Sequence, residues 1–317
     1  MGYRVERIAE VNFDSFLHIF EATFSKKADS IYFKAKFDTA FARAKYIGFI
    51  AFEEASNAPA AFYGVFPTLV RMGDKQVLAA QSGDTATHPD HRKKGLFNIL
   101  HDKTMELCID EGIAFVYGFP NEQSFPGFLK FGWTHACDSI NSYWVAEVSF
   151  LKKLHRKLAP AAFESSKMQL LNSKKVPLAA YAKIDWESSF LASYSKEVCV
   201  SRSAEYLTYK QKLGAELIQL ESGYAWVSYK DNELRVGDLF GKNFELIFKE
   251  LLDFCKRCGI DVLNIKCSHQ DVFSIFEKQF PTYKKEKAGA LIINHLANSM
   301  PLKDEQFLYT GGDFDTF

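Results

Sequence analysis

The sequence predicts an α/β protein of the α+β type, in which a mixed, mostly antiparallel sheet flanked by helices occurs twice. Two observations lead to this fold class. Runs rich in aromatic and small residues, typical of strands, alternate with amphipathic stretches that are typical of helices. A helix, glycine and strand cassette at 110–113 (Asp-Glu-Gly-Ile) recurs at 257–260 (Arg-Cys-Gly-Ile), which indicates a degenerate internal repeat.

In the first half, a helix is predicted at 14–24 and a second at 29–44, because phenylalanines recur there at helical spacing. Phe33, Phe37 and Phe41 share one face of the second helix, and Lys34 and Lys36 are expected to point away from it. The other elements predicted for this half are strands at 46–52, 59–72, 76–87, 113–119 and 141–148 and helices at 95–111 and 124–131.

The domain boundary is predicted at 150–180, a segment that begins with a basic, leucine-spaced helix at 150–157 and then turns polar in composition. This divides the chain into a catalytic domain at 1–150, a linker at 151–180 and a second domain at 181–317. The second domain is predicted to contain strands at 233–239, 260–265 and 288–295 and helices at 244–257 and 271–280.

Composition restricts the functions that the chain can have. With 317 residues, of which 47% are hydrophobic, it can supply a core to each of two units. Lys plus Arg and Asp plus Glu number 39 each, so no overall charge attracts nucleic acid or an anionic membrane surface. The start lacks a signal peptide, and no stretch approaches the roughly 20 apolar residues that span a bilayer. We expect a cytoplasmic protein without a nucleic-acid partner, for which a homo-oligomer is compatible with the sequence.

The cysteines raise the question of a metal site. Cys255, Cys258, Cys267 and His269 are four potential zinc ligands. A structural role is favoured, because Cys255 lies within an apolar helical pattern and Cys267 ends a strand-like run, whereas structural zinc sites place paired cysteines in a tight knuckle. We therefore expect no metal.

The stretch 81–97 carries the clearest chemical signal, because it combines a strand, a basic turn and a helix start. The first turn of a helix leaves backbone N–H groups unpaired and carries the positive end of the helix dipole, so it favours a phosphate. Arg92, Lys93 and Lys94 add positive charge there, and Gly95 allows a ligand to approach the backbone without a Cβ in the way.

The run Arg92-Lys93-Lys94-Gly95-Leu96-Phe97, preceded by Thr87-His88-Pro89, resembles the acyl-CoA pyrophosphate loop of the GNAT superfamily of N-acetyltransferases. The Arg, the Gly and the upstream Pro match the family pattern, whereas Phe97 stands where Gly or Ala is usual. The Leu-Phe ending resembles the Eis-type subgroup. The resemblance implies acetyl-CoA as co-substrate, bound by Thr85, Ala86, Thr87, Arg92, Lys93, Lys94, Gly95, Leu96, Phe97, Asn121 and Phe128.

The resemblance also indicates where a general acid is expected. In the family, a Tyr seven residues after an Asn protonates the departing thiolate. Asn121 matches that Asn, but Phe128 occupies the Tyr position and has no proton to give. Ser124, Tyr143 or a bound water are candidates to replace it. A turn-forming role for Asn121 after Pro120 is an equal alternative.

Four positions are candidates for the general base. Asp84 lies on the strand just before the expected acyl position, Glu122 lies at the far side, and His88 titrates near neutrality but fits a turn beside Pro89. The fourth is the carboxylate at Phe317, since the tail 309–317, with Asp313 and Asp315, is acidic and aromatic and resembles the end of Eis-type enzymes. The alternative is a docked tail whose aspartates stay in water.

The second half lacks the loop, because between its strand and helix it has only 238–243, without an Arg-x-x-Gly run. We expect this copy not to bind CoA, but to pack on the first copy and border the acceptor cleft. The segment 201–210 resembles a motif of acetyltransferases associated with surface polysaccharide loci, which implies an amino sugar as acceptor.

The leading hypothesis is an N-acetyltransferase that moves an acetyl group from acetyl-CoA to a small-molecule amine by direct attack in a ternary complex. A non-catalytic acyl-CoA-binding regulator is the first alternative, because Phe128 lacks the acidic hydroxyl. A Fem-type aminoacyl transferase that uses charged tRNA is the second; such proteins lack the Arg-x-x-Gly loop, and a neutral charge balance holds a polyanion poorly.

Overall fold

The chain divides into two compact units in the computed structural model. Unit 1 comprises residues 1–136 and 291–304, and unit 2 comprises residues 137–290 and 305–317. The predicted division into 1–150, 151–180 and 181–317 has different bounds and stays a prediction. The structure describes residues 2–194, 198–268, 274–281, 284–296 and 307–317.

Unit 1 is a mixed sheet flanked by helices. Its elements are β1 (Tyr3–Arg7), α1 (Phe13–Phe24), α2 (Ser30–Phe37), β2 (Ile47–Glu53), β3 (Pro59–Met72), β4 (Lys75–Thr87), α3 (Leu96–Asp110), β5 (Phe115–Gly118), α4 (Phe125–Lys130) and the second part of β12 (Lys284–His295). The strand order is β1-β2-β3-β4-β5-β12. β4 and β5 run parallel, and the other pairs described in this unit are antiparallel.

Unit 2 repeats this plan in its sheet, which has the order β6-β11-β10-β9-β8. Its elements are β6 (Thr134–Val145, which begins in unit 1), α5 (Phe150–Leu158), α6 (Pro160–Ser173), β7 (Val198–Val200), α7 (Ala204–Lys212), β8 (Glu216–Gln219), β9 (Gly223–Lys230), β10 (Glu233–Gly241), α8 (Phe244–Cys258), β11 (Val262–Cys267), α9 (Ser274–Gln279) and the first part of β12. β10 and β11 run parallel, whereas β6 with β11, β10 with β9 and β8 with β9 are antiparallel.

The helix, glycine and strand cassette that recurs at 110–113 and 257–260 lies in the connection between the two parallel strands of each unit. α3 joins β4 to β5 and α8 joins β10 to β11, and each of these helices has 15 residues. Gly112 and Gly259 follow them at φ 75° and 74°, in the left-handed region that favours glycine at a helix end. The predicted fold class, a mixed and mostly antiparallel sheet flanked by helices, is confirmed.

Helix α2 is shorter than the sequence predicts. It ends at Phe37, because Thr39 Oγ1 donates a 2.6 Å hydrogen bond to the Ala44 carbonyl and closes a separate turn. Phe41 therefore lies outside the helix. The expectation that Lys36 points away from the aromatic face is wrong, since its side chain is 1% exposed and its Nζ lies 4.8 Å from the centre of the Phe66 ring.

Several elements differ from the sequence predictions elsewhere. The segment 151–180, predicted as a linker, contains α5 and α6, and the strand predicted at 141–148 is β6, which starts at Thr134. Residues 271–273 of the helix predicted at 271–280 lie outside the described part of the chain. Elements that were not predicted from the sequence are β1, α6, β7, α7, β8 and β9.

A buried charged cluster fastens the end of the chain within unit 2. Arg202 Nε donates to Asp238 Oδ2 at 2.9 Å, and its two terminal nitrogens donate to the carboxylate of Asp313 at 2.5 and 3.2 Å. The Arg202 side chain is 3% exposed and both carboxylates are fully buried. Burial raises the pKa of Asp238, and the Arg202 guanidinium opposes this shift. Each charge in the cluster thus depends on the others.

Replacing Arg202 by Met should therefore destabilise unit 2. Two buried carboxylates would lose their cation, which costs about 3–5 kcal/mol for a buried pair. Urea denaturation followed by circular dichroism measures the loss. Arg156→Met is the matched control, because the Arg156–Asp261 pair is partly exposed and should contribute no more than about 1 kcal/mol. Equal losses in the two variants would contradict this account of the cluster.

Candidate active site

Strand β4 is irregular at Asp84. The pairing with β3 shifts between Tyr63–Thr85 and Gly64–Gly83, which leaves Asp84 as an additional residue in a β-bulge. Asp84 has φ 46°, in the left-handed region. Its Oδ2 lies 2.7 Å from Lys36 Nζ, and its side chain is 14% exposed. The ion pair holds the bulge against the aromatic face of α2.

The pairing of β4 with β5 ends before the bulge. The parallel pairing of β4 with β5 covers Ala80, Gln81 and Ser82, and β5 ends opposite Ser82 at Gly118. β4 continues to Thr87, and in residues 2–194, described without a gap, no further β4–β5 pair forms. Thr85, Ala86 and Thr87 of β4 therefore lie past the end of β5.

The loop after β4 begins with a 3-10 turn, Pro89–His91. His88 Nδ1 accepts a 3.3 Å hydrogen bond from the Asp90 backbone N–H, which supports a turn role for His88. Arg92 Nε donates to the Thr87 carbonyl at 3.4 Å, so this cation folds back over the end of β4. Lys93 at φ 61° and Gly95 at φ 73° reverse the backbone twice before α3. The loop thus curves around the N-terminus of α3.

The N-terminus of α3 is open, whereas that of α8 is closed. No side chain caps α3 and its first turn has no acidic residue, while Arg92, Lys93 and Lys94 beside it are exposed. At α8, the Asn243 side chain accepts a 3.0 Å hydrogen bond from the Leu246 N–H, and Glu245 lies in the first turn. An anion is therefore favoured at α3 and opposed at α8.

The two residues that depart from the family pattern contact each other. The ring centres of Phe97 and Phe128 are 5.8 Å apart in an edge-to-face arrangement. Phe128 also packs on Trp133, whose Nε1 donates to His101 Nε2 at 3.0 Å, and Phe97 packs on Tyr63. A Gly or Ala at position 97 would leave this aromatic cluster incomplete. Phe97 and Phe128, the two departures from the family pattern, thus pack in the same aromatic cluster.

The turn after β5 uses Asn121 structurally. Its Oδ1 accepts hydrogen bonds from the backbone N–H groups of Gln123 at 3.0 Å and Ser124 at 2.9 Å, and so leads the chain into α4. Ser124 Oγ donates to the Asn121 carbonyl at 3.3 Å, which is a long bond. Glu122 is exposed. Since β4 and β5 are parallel, this turn and the basic loop leave the same edge of the sheet.

The tail places Phe317 in unit 2, where its ring packs on Trp226 with centres 5.0 Å apart. Asp313 does not belong to an open acidic pocket, because Arg202 neutralises it in the buried cluster. The alternative of a docked tail with aspartates in water is likewise wrong for Asp313, which is 1% exposed. The structure brings Asp84, Glu122 and Ser124 into unit 1 and Phe317 into unit 2.

The cysteines lie in packed positions. Cys255 and Cys258 lie on the buried face of α8, where burial raises the pKa of both thiols, that of Cys258 to about 11. A thiol with a raised pKa is a poor metal ligand at neutral pH. The described residues contain no group of three or more His, Cys, Asp or Glu side chains arranged to hold a metal ion, and His269 lies outside them.

Comparison with known proteins identifies the first part of the chain. A family model described as the acetyltransferase (GNAT) domain matches residues 4–136. Residues 4–136 belong to the GNAT acetyltransferase family. The predicted resemblance is confirmed, and the open helix start and basic loop both lie inside the matched GNAT domain. A search of curated proteins finds no significant match.

Solved structures share the GNAT fold over nearly the whole chain. A GCN5-related N-acetyltransferase from Kribbella flavida is 12% identical, with 93% of this chain and 72% of that chain covered and a TM-score of 0.66. Saccharomyces cerevisiae N-myristoyltransferase with bound myristoyl-CoA is 9% identical, with coverages of 96% and 89% and a TM-score of 0.58. Eis1 from Mycobacterium abscessus is 10% identical, with coverages of 93% and 74% and a TM-score of 0.54.

None of the helices in the described residues is long and apolar enough to cross a membrane.

The role of Lys36 at this site was not predicted from the sequence. A substitution of Lys36 tests whether its ion pair with Asp84 stabilises the fold. Replacing Lys36 by Met removes the cation that pairs with Asp84 at the bulge, and should destabilise the fold by about 2–4 kcal/mol. Lys34→Met on the same helix is the control, because Lys34 is exposed and its loss should change stability by less than about 0.5 kcal/mol. Thermal unfolding of both variants compares them, and a harmless Lys36→Met would refute a structural role for the pair.

Proposed function

We propose that this chain transfers an acetyl group from acetyl-CoA to a small-molecule amine by direct attack in a ternary complex. The observation that carries the proposal is the open N-terminus of α3, which follows an exposed basic loop after β4, a strand that extends past its last pair with β5. A co-substrate with a pyrophosphate at one end and a thioester at the other fits this arrangement.

The anionic end of acetyl-CoA is proposed to bind the loop. The loop backbone from Lys93 to Phe97 leads into the first turn of α3, where unpaired N–H groups and the helix dipole stabilise a pyrophosphate. The exposed side chains of Arg92, Lys93 and Lys94 add positive charge. The closed start of α8 supports a single acyl-CoA site per chain, because its capped first turn offers an anion no comparable site.

The thioester end is proposed to lie along β4 beyond the bulge. A backbone N–H of Thr85, Ala86 or Thr87 would polarise the thioester carbonyl, as oxyanion donors do in acyl transfer. The amine nitrogen forms a bond to the carbonyl carbon, the carbon–sulfur bond breaks, and the thiolate departs with the electron pair. A base takes the proton from the amine, and the thiolate takes one from an acid or from water.

The proposed proton carriers are Asp84, Glu122, Ser124 and Phe317. Asp84 lies just before the expected acyl position on β4, so its carboxylate is a candidate to contact the amine. Its ion pair with Lys36 weakens it as a base, because a neighbouring cation favours the ionised carboxylate. Glu122 is exposed in the turn at the same sheet edge. Ser124 is proposed as the acid, since its long bond to the Asn121 carbonyl costs little to give up. Phe317 is proposed through a carboxylate at that position.

The acceptor is proposed to be an amine, with an amino sugar as the first class to test. The motif at 201–210 that suggested an amino sugar has a structural role here, since Arg202 is buried in the charged cluster and Lys210 Nζ donates to the Phe314 carbonyl. A panel should therefore include glucosamine, a polyamine and an amino acid. Longer acyl-CoA donors belong in it too, since N-myristoyltransferase shares the fold.

Acetyl-CoA binding should depend on Gly95. Gly95→Glu places a carboxylate at the open helix start and should abolish binding measured by calorimetry, together with free-thiol release. Gly73→Glu is a matched control, because Gly73 also has a positive φ and a Cβ there would also meet open space. Loss of binding in both variants, or in neither, would count against the proposed pyrophosphate site.

A substitution at Phe128 distinguishes an acetyltransferase from a non-catalytic acyl-CoA-binding regulator. The regulator is the second candidate function, because Phe128 has no hydroxyl to act as the acid. Phe128→Tyr introduces a hydroxyl at the acid position and should raise kcat for thiol release at least about tenfold, because a positioned general acid contributes about 10²–10⁴. Affinity for acetyl-CoA should not change. Phe131→Tyr, in the same aromatic cluster, is the control. Acetyl-CoA binding without thiol release in any variant would favour the regulator.

A further inference from the structure

One face of the unit 2 sheet carries a group of polar side chains. Asn264 and Lys266 are two residues apart on β11, so they lie on the same face. Asn264 pairs in register with Tyr143 of β6 and with Arg235 of β10. Together the three strands contribute Asn141, Tyr143, Glu233, Arg235, Asn264 and Lys266.

The C-terminal tail at 307–317 packs over this face, and a cavity remains between the tail and the sheet of unit 2. Gly311, Phe314, Thr316 and Phe317 form the cover, and the cavity has a volume of about 250 Å³. That is just below the range of about 300–1,000 Å³ for small-molecule pockets. The polar-face cavity, as we call it, is therefore suited to a ligand smaller than most cofactors. All of its lining residues belong to unit 2.

Asn264 points to a ligand, because its amide lacks a partner. The side chain is 6% exposed, and its Nδ2 has no hydrogen-bond partner in the part of the chain that the structure describes. A buried donor without a partner costs about as much as a lost hydrogen bond and is rare in native structures. A ligand oxygen in the cavity would supply the missing acceptor.

Lys266 adds an unneutralised cation. Its Nζ lies 3.6 Å from the centre of the Phe314 ring, and none of the ion pairs of the described residues includes it. Burial, and then the nearby charge of Arg235, lower the pKa of Lys266 to about 8, so most of it is protonated at neutral pH. An aromatic ring attracts the ammonium group but leaves it able to donate to an oxygen.

Among the charged side chains that line the cavity, Lys266 has no partner of opposite charge. Arg235 Nε pairs with Glu233 at 2.9 Å, which accounts for the carboxylate among the lining side chains. The Tyr143 hydroxyl donates to Glu286 at 2.5 Å, so it is already engaged. With Glu233 balanced by Arg235, the charge of Lys266 is left over. An anionic ligand would be favoured over a neutral or cationic one.

We propose that the polar-face cavity binds a small oxyanion, the carboxylate or phosphate group of a small molecule, through Lys266 Nζ and Asn264 Nδ2. Both donors would then form hydrogen bonds, and the ammonium contact would be charge-assisted. The cavity shares Phe317 with the proposed proton carriers but shares no residue with the acyl-CoA loop at 92–97. The inference rests on Lys266 and Asn264 and does not depend on the acetyltransferase proposal.

Calorimetric titration of the full chain with succinate, inorganic phosphate and glycerol tests the proposal. Saturable binding of succinate or phosphate, but not of glycerol, is expected, and the better ligand identifies the anion class. Lys266→Met should weaken binding at least tenfold, whereas Lys230→Met, an exposed lysine on β9, should not. Asn264→Leu should weaken it less than Lys266→Met does. The Gly95→Glu variant should bind these anions normally, which separates this site from the acyl-CoA site.

Chemical labelling of lysines in the unsubstituted protein tests the proposal even if a variant fails to fold. Brief acetic anhydride labelling at pH 8, followed by peptide mass spectrometry, reports the accessibility of Lys266. The bound anion should slow labelling of Lys266 and leave that of Lys230 unchanged. Absence of saturable binding up to about 10 mM of either anion, binding that survives Lys266→Met, or binding without protection of Lys266 would each overturn the proposal.

Discussion

The parallel contact between β4 and β5 ends after three residue pairs, and the rest of the GNAT domain is arranged around that early end. A bulge at Asp84 redirects β4, and its left-handed backbone costs about 1–3 kcal/mol for a residue other than glycine. The buried ammonium of Lys36 offsets this cost, so the aromatic packing of α2 becomes part of the site. Beyond the bulge, β4 leads through the basic loop to the uncapped start of α3.

The sequence was most informative where a local pattern determines structure. α1, β3, α3 and α8 lie close to their predicted bounds because each has a strong period or a glycine stop. The loop at 92–97 was identifiable for the same reason. β1, β8 and β9 were missed because they are short or weakly patterned strands, defined by their pairing with distant segments. Lys36 was missed because its partner, Asp84, is a tertiary neighbour.

The second unit keeps the sheet plan of the first unit without its basic loop. Its counterpart of the basic loop is two residues between β10 and α8, and an asparagine caps the helix that follows. Its sheet instead carries polar side chains beneath the tail. The alternation of Asn264, Ile265 and Lys266 is visible in the sequence, but a strand with one polar face is ordinarily exposed to water. Only the position of the tail shows that this face is partly covered.

The passage of β12 from unit 2 into unit 1 has a consequence for how the protein is made. Residues 292–295 pair with β5, so the GNAT sheet has a neighbouring strand that is synthesised about 175 residues after the one it joins. Arg202 likewise meets Asp313 only after 111 further residues have emerged. Neither unit can therefore be completed on the ribosome in the order of its sequence. Until then, the open edge of β5 and the charge of Arg202 are exposed, and they are the features a chaperone would have to protect.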